Sequence, residues 1–80
     1  MKNLKIKRVS RGYHYIMQGN LRIGTMERSE GGPVPAAGEW FATYHPSTAD
    51  YMTNQWDRWR LAAAHGRTMN ECLKEFARNY

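Results

Sequence analysis

Three histidines and one cysteine are the residues of this chain with the clearest capacity for metal binding or nucleophilic catalysis. His14, His45 and His65 lie in different parts of the chain, with no His-Glu-x-x-His motif and no cysteine pair beside them. Cys72 has no neighbouring residue that would activate and orient its thiolate, and it is typical of a small buried helical residue. We therefore expect no metal site and no catalytic residue among these side chains, with His65 at a helix C-terminus.

The acidic residues form no pair for general acid and base catalysis. The seven Asp and Glu are scattered over turns, helix caps and surfaces, so their spacing places no two carboxylates together for proton transfer. The pair Gly31-Gly32 precedes a proline and not a helix start, which is the wrong context for a phosphate-binding loop. The sequence therefore predicts a protein that is not an enzyme and that requires no cofactor.

The charge of the chain indicates the class of partner. A net charge of +5 and a pI near 9.7 favour attraction to polyanions. We expect the partner to be an acidic protein surface or a nucleoprotein complex, and direct binding of nucleic acid remains an open alternative. A protein of this charge cannot mimic DNA.

Two groups of side chains have suitable chemistry for such partners. Arginine makes forked hydrogen bonds to carboxylates and phosphates. The predicted partner-binding site is therefore an arginine group that consists of Arg58, Arg60, Arg67, Arg8 and Arg11. Tyrosines interleaved with arginines stack bases on sheet surfaces. The alternative nucleic-acid face consists of Tyr13, Tyr15, Arg22 and Arg28.

The length of the chain predicts a single domain over residues 1–80, because so short a chain cannot build two cores. No apolar run approaches the roughly 20 residues that a membrane-spanning helix needs. The N-terminal lysines are not followed by the apolar stretch of a signal peptide. We therefore expect a cytoplasmic protein that does not enter a membrane.

The first half of the chain has the alternating pattern of β-strands. Strands are predicted over about 3–9, 13–18, 21–28 and 39–45, with a connecting loop over 30–38. A two-residue loop between the second and third strands makes a hairpin in which Ile16 faces Ile23 and Tyr15 faces Gly24. One hairpin face then carries Ile16, Leu21 and Ile23, and the other carries Tyr13, Tyr15, Met17, Arg22, Met26 and Arg28.

The second half has helical periodicity, with helices predicted over about 48–65 and 69–79. Thr68 and Glu71 have the spacing of a capping box at the start of the second helix. A strand over 58–62 is the alternative to the end of the first helix. The predicted fold is α+β: a three-stranded antiparallel sheet followed by two helices packed on one face, with residues 3–9 as an edge strand. The expected core consists of Ile16, Ile23, Trp56, Trp59, Leu73 and Phe76.

Three stretches together resemble small bacteriophage anti-defence proteins of the anti-CRISPR type. They are the hairpin from Gly12-Tyr13-His14-Tyr15 to Ile23-Gly24-Thr25, the aromatic stretch Glu39-Trp40-Phe41-Ala42, and the final helix from Thr68 to Leu73. The resemblance implies a non-enzymatic inhibitor that occupies a surface of a host defence protein or nucleoprotein complex in the host cytoplasm. The alternative is a DNA- or RNA-binding accessory module that uses the hairpin face.

Overall fold

The structure is a computed structural model and describes residues 3–45 and 54–80. Four strands precede the first helix of the described residues, and a fifth strand separates that helix from the last one. In chain order the elements are β1 (Leu4–Ser10), β2 (Tyr13–Gln18), β3 (Leu21–Arg28), β4 (Trp40–Tyr44), α1 (Gln55–Arg60), β5 (Ala64–Gly66) and α2 (Met69–Asn79).

The five strands form one antiparallel sheet in the order β1–β2–β3–β4–β5. The α+β class is therefore confirmed, and the predicted three-stranded sheet is too small. The strand β1 lies at one end of this order and pairs with β2, so it is an edge strand, as predicted. The strand β5 was missed because three residues are too few to show a period of two.

The β2–β3 hairpin has a different register from the predicted one. Gln18 pairs with Leu21 as expected, but Ile16 pairs with Gly24 and Tyr15 with Thr25. The shift arises because Ile23 is an extra residue in β3, a β-bulge that reverses the alternation beyond it. Met26 consequently lies in the core instead of among the tyrosines.

The core lies between one face of the sheet and α2. Thr68 caps α2 by accepting a hydrogen bond from the Glu71 backbone N–H at 3.1 Å, which confirms the predicted start of this helix. Leu73 is half-buried and packs against the core from its margin. The core cluster consists of Ile16, Ile23, Met26, Ala42, Ala64, Cys72 and Phe76, which confirms three of the six predicted members, Ile16, Ile23 and Phe76.

The helix α1 contacts the opposite face of the sheet, so the prediction of two helices on one face is wrong. Arg58 of α1 binds Glu27, and Trp59 packs edge-on against His65. Glu27 follows Met26 in β3, and His65 follows Ala64 in β5. Because Met26 and Ala64 face the core, Glu27 and His65 lie on the opposite face of the sheet. Trp59 is therefore half-buried on the other face, and Trp56 is 39% exposed, so neither joins the predicted core.

The first helix is also shorter than predicted. The structure places α1 at Gln55–Arg60, and residues 48–53 of the predicted 48–65 helix lie outside the described residues. The chain leaves the helix at Leu61 and enters β5, so His65 is a strand residue and not a helix C-terminus. The alternative strand over 58–62 is wrong, because residues 58–60 are helical.

The connection over 30–38 is irregular, as predicted. Its ends are tied together by Ser29, whose backbone N–H donates to Glu39 O at 2.7 Å and whose carbonyl accepts from Gly38 N at 2.9 Å. Val34 is buried, so the loop has one apolar anchor. Among the helices within residues 3–45 and 54–80, none is long and apolar enough to cross a membrane.

Candidate binding site on the sheet

The face of the sheet opposite α2 carries a group of aromatic and basic side chains from β1, β2 and β3. Antiparallel pairing aligns Lys5 with Met17 and Met17 with Arg22, and it aligns Lys7 with Tyr15. Because side chains alternate between the two faces of a strand, these residues share one surface. We call it the tyrosine face, and its members are Lys5, Lys7, Tyr13, Tyr15, Met17 and Arg22.

The aromatic groups of the tyrosine face are held in a fixed arrangement. The rings of Tyr13 and Tyr15 meet edge to face, with centroids 6.2 Å apart and an interplanar angle of 69°. The guanidinium of Arg22 lies over the Tyr15 ring, with Cζ 4.0 Å from the centroid. Its Nη2 also donates to Thr25 Oγ1 at 2.6 Å. The face therefore combines aromatic rings with a positioned guanidinium, which are the kinds of group on which planar ligands stack.

The charges on β1, on β2 and on β3 before Glu27 have one sign. The first acidic residue of the chain is Glu27, and six of the twelve Lys and Arg precede it, namely Lys2, Lys5, Lys7, Arg8, Arg11 and Arg22. No acidic side chain therefore belongs to β1 or β2, or to β3 before Glu27. Such a distribution attracts a polyanion to this part of the protein. The asymmetry was visible in the sequence, but the prediction used only the net charge of the chain.

A groove lies at the Tyr13 end of the tyrosine face. It has a volume of about 670 Å³ and is bordered by the β1–β2 turn, the end of β3, the 30–38 loop and α1. We call it the arginine groove. Its charged and aromatic lining residues are Arg11, Tyr13, Glu27, Arg28, Glu30 and Arg58.

The α1 wall of the groove is fixed by hydrogen bonds to β3. Arg58 donates from Nε to Glu27 Oε2 at 2.7 Å and from Nη2 to Glu27 Oε1 at 2.9 Å. These bonds raise the pKa of Arg58, although partial burial opposes the change. Gln55 donates to the Arg28 carbonyl at 2.8 Å and accepts from the Glu30 N–H at 2.9 Å. The wall therefore has a defined position, and one of its positive charges is neutralised by Glu27.

The main chain of Arg28 is joined to the β1–β2 turn next to Arg11. Arg28 N donates to the Gly12 carbonyl at 3.0 Å, which brings the end of β3 beside the residue that follows Arg11. Gly12 and Gly38 both have positive φ, and a Cβ at Gly38 would lie 3.5 Å from the Arg28 guanidinium. Within residues 3–45 and 54–80, neither Arg11 nor Arg28 has an ion pair. Both line the groove and are candidate contacts for an anion there.

The predicted arginine group does not form one surface. Arg58 and Arg11 line the arginine groove, whereas Arg8 pairs with His14 on the other face of β1. Arg60 lies 3.5 Å from Asp57, and Arg67 lies 4.0 Å from Glu71, both on exposed surface. The prediction required these arginines to share a face, and they instead lie on α1, on the β5–α2 connection, on β1 and in the β1–β2 turn.

The alternative nucleic-acid face is largely assembled. Tyr13, Tyr15 and Arg22 lie together on the tyrosine face, whereas Arg28 alternates with Glu27 and leaves β3 on the α2 side, at the border of the arginine groove. Met26, which the prediction placed with them, is buried in the core. Lys5 and Lys7 belong to the same face, although the predicted face did not include them.

The histidines and the cysteine do not combine into a reactive site in the part of the chain that the structure describes. Burial and then the charge of Arg8 lower the pKa of His14, so this imidazole is favoured in its neutral form. Burial, with a smaller effect from Glu75, raises the pKa of the Cys72 thiol to about 12. No cluster of His, Cys, Asp or Glu among the described residues could hold a metal ion.

Comparison with known proteins gives no match to this chain, whether with protein-family models, with curated proteins or with solved structures.

Proposed function

We propose that this protein is a non-enzymatic module that binds single-stranded nucleic acid on the tyrosine face. The observation that carries the proposal is the Arg22 guanidinium stacked on Tyr15, beside Tyr13 and flanked by Lys5 and Lys7. Proteins that bind single strands combine a basic surface, which follows the phosphates, with flat groups on which unpaired bases stack. The tyrosine face has both components on one rigid sheet.

The charge distribution supports the same function. A strand of nucleic acid would meet only cations on β1 and β2 and on β3 before Glu27, because no acidic residue precedes Glu27. Each phosphate that a lysine or arginine neutralises releases counterions, so affinity for a single strand falls with salt at a slope of about 0.7 per contact. Duplex nucleic acid keeps its bases paired and stacked, so the tyrosine face would not gain the stacking energy from it.

The proposal is tested by fluorescence anisotropy with a labelled single-stranded oligonucleotide and the duplex of the same sequence. We expect tighter binding of the single strand, with a linear dependence of log affinity on log salt. Arg22→Lys preserves the charge but removes the flat guanidinium. We therefore expect it to weaken binding by about 1–3 kcal/mol, the range for one stacked base, with an unchanged salt slope.

Two charge-matched double variants distinguish the contribution of the tyrosine face to binding from the contribution of net charge. Lys5→Gln with Lys7→Gln and Lys74→Gln with Arg78→Gln each remove two positive charges, which takes +5 to +3. The first pair lies on the tyrosine face, and the second lies on exposed positions of α2, which packs on the other face. We expect only the first pair to lower the salt slope. Equal losses from both pairs would contradict a specific face.

The inhibitor function stays a prediction, as does the cytoplasmic location. Its partner would be an acidic protein surface or a nucleoprotein complex of a host defence system. The arginines expected to contact that partner do not form one surface. Arg58, Arg60 and Arg67 pair with Glu27, Asp57 and Glu71, and Arg8 lies on the opposite face of the sheet from Glu27. Tight binding to a purified defence complex, together with no affinity for free single strands, would favour the inhibitor over the nucleic-acid module.

A further inference from the structure

We propose that the arginine groove binds the terminal phosphate monoester of a nucleic-acid strand whose preceding bases lie on the tyrosine face. This inference rests on the proposed function, because the tyrosine face supplies the rest of the strand. Tyr13 belongs to both sites, so a strand that follows β2 from Tyr15 towards Tyr13 arrives at the groove. The α1 wall stands at the end of that path.

The groove offers two guanidinium groups for a phosphate. Arg11 and Arg28 both line the groove, and the hydrogen bond from the Arg28 N–H to the Gly12 carbonyl holds their main chains side by side at the β1–β2 turn. Neither guanidinium is held by an ion pair within the described residues, in contrast to Arg58. Guanidinium groups that border one groove suit an anion with several oxygens, because each makes forked, charge-assisted hydrogen bonds.

The charge of the groove favours a monoester over the diesters inside a strand. Three arginines face two carboxylates, Glu27 and Glu30. Both carboxylate oxygens of Glu27 bind Arg58, so Glu30, which is exposed, is the other acidic residue among the described groove residues. A phosphate monoester carries a charge of about −1.5 to −2 at pH 7, against −1 for a diester. The end group therefore gains more from Arg11 and Arg28 than an internal phosphate does.

The size of the groove agrees with a whole terminal nucleotide. A volume of about 670 Å³ lies within the range of small-molecule sites and exceeds the volume of a phosphate group. Tyr13 lines the groove, and we expect its ring to contact the last base. The groove would then hold the sugar and the phosphate beyond it.

The experiment compares oligonucleotides of one sequence that carry a 5′-phosphate, a 3′-phosphate or hydroxyl groups at both ends. We expect one of the two phosphorylated strands to bind at least five-fold more tightly than the hydroxyl-ended strand. Arg11→Gln with Arg28→Gln should abolish this preference, and it should lower the affinity for the hydroxyl-ended strand no more than the charge-matched control does. Arg60→Gln with Arg67→Gln is the charge-matched control, since both residues lie outside the groove, and it should keep the preference.

The outcomes separate the inference from the proposed function. Equal affinity for all three strands would overturn the phosphate site while the tyrosine face remains supported. Loss of the preference in the Arg60 and Arg67 control would also overturn it, because the effect would then follow net charge alone. If no strand binds, the proposed function fails, and amide NMR spectra with a nucleoside monophosphate test the groove alone. Shifts confined to Arg11, Gly12, Arg28 and Gly38, absent with the nucleoside, would support the site, and their absence would overturn it.

Discussion

Arg58 in α1 and Glu27 in β3 form a forked ion pair, with Nε–Oε2 at 2.7 Å and Nη2–Oε1 at 2.9 Å. The Glu27 side chain is only 4% exposed, and Arg58 is its ion-pair partner among the described residues. The helix α1 has six residues and no buried side chain. Because so short a helix is not stable in isolation, we infer that this pair is a principal tether of α1 to the sheet.

The first prediction concerns this pair. Arg58→Met removes the guanidinium and leaves the Glu27 carboxylate buried without its partner, which costs about 3 kcal/mol of unfolding free energy. Arg60→Met, in the exposed pair with Asp57, is the control, and we expect a change below about 0.5 kcal/mol. Urea denaturation followed by tryptophan fluorescence measures both. Similar losses for the two variants would contradict the role assigned to the Glu27 pair.

The second prediction concerns two glycines that lie under α2. A Cβ at Gly24 would lie 2.7 Å from Phe76 Cζ and 2.9 Å from the Thr43 carbonyl, so we expect Gly24→Ala to cost about 1–3 kcal/mol through overpacking. A Cβ at Gly66 would meet the backbone of Cys72, which only a movement of α2 can relieve. We therefore expect Gly66→Ala to be the more destabilising change.

Double variants distinguish the two mechanisms. Phe76→Leu removes the ring that faces Gly24, so the cost of Gly24→Ala should be smaller in that background than in the wild type. Cys72→Ala leaves the backbone near Gly66 in place, so the cost of Gly66→Ala should not change. Thermal denaturation of each pair tests this contrast. A rescue of Gly66→Ala by Cys72→Ala would show that the clash is not with the backbone.

The sequence predicted the elements whose signals are local. The hairpin turn, the end of the strand at residues 44–45 and the Thr68 cap each depend on a few adjacent residues, and the structure has all three. The bulge at Ile23 and the strand β5 depend on long-range packing, since Gly66 lies against α2 and Ala64 pairs with Ala42. No periodicity within three residues predicts such a strand.

The third prediction concerns the cap of α2. The hydroxyl of Thr68 accepts a hydrogen bond from the Glu71 N–H, and Thr68→Ala leaves that donor without its side-chain partner. We expect Thr68→Ala to lower the unfolding free energy by about 1 kcal/mol. Thr68→Ser keeps a hydroxyl at the cap and should retain most of the wild-type stability. Circular dichroism during thermal denaturation measures both variants. A stability loss in Thr68→Ser as large as that in Thr68→Ala would indicate that the methyl group matters instead of the cap.

The fourth prediction concerns pH. Burial and Arg8 lower the pKa of His14 below its ordinary value of 6.5, so the folded protein binds this proton less readily than the unfolded chain. The unfolding free energy therefore falls as the pH drops through about 6.5 towards the folded-state pKa. His14→Phe removes the titrating group. We expect its melting temperature to fall less between pH 7 and pH 5 than that of the wild type, and an equal fall would assign the effect to other groups.

The candidate site was predictable in part. Tyr13, Tyr15 and Arg22 were placed together because alternation and hairpin geometry are local, and Arg22 and Tyr15 remain neighbours even with the shifted register. The arginine groove was not predictable, because it joins the β1–β2 turn, the end of β3 and α1 across long stretches of chain. The ion pair of Arg58 with Glu27 joins residues 31 positions apart, and no spacing rule indicates it.

The last prediction distinguishes the tyrosine face from the arginine group that the sequence analysis favoured. A triple reversal of Arg58, Arg60 and Arg67 to Glu is unsuitable as a test, because Arg58→Glu would place a second carboxylate against buried Glu27. Two double reversals avoid this problem. Lys5→Glu with Lys7→Glu and Arg60→Glu with Arg67→Glu each change the charge by four units, which takes +5 to +1.

Both double variants should keep the fold, since all four side chains are exposed. If a single strand lies on the tyrosine face, the Lys5 and Lys7 reversals place negative charge beside its phosphates and should lower affinity at least ten-fold more than the Arg60 and Arg67 reversals. Fluorescence anisotropy at fixed salt measures the difference, and circular dichroism checks the fold of each variant. The opposite order, with the larger loss from Arg60 and Arg67, would refute the tyrosine face and favour a partner that contacts α1 and the β5–α2 connection, as the arginine group predicted.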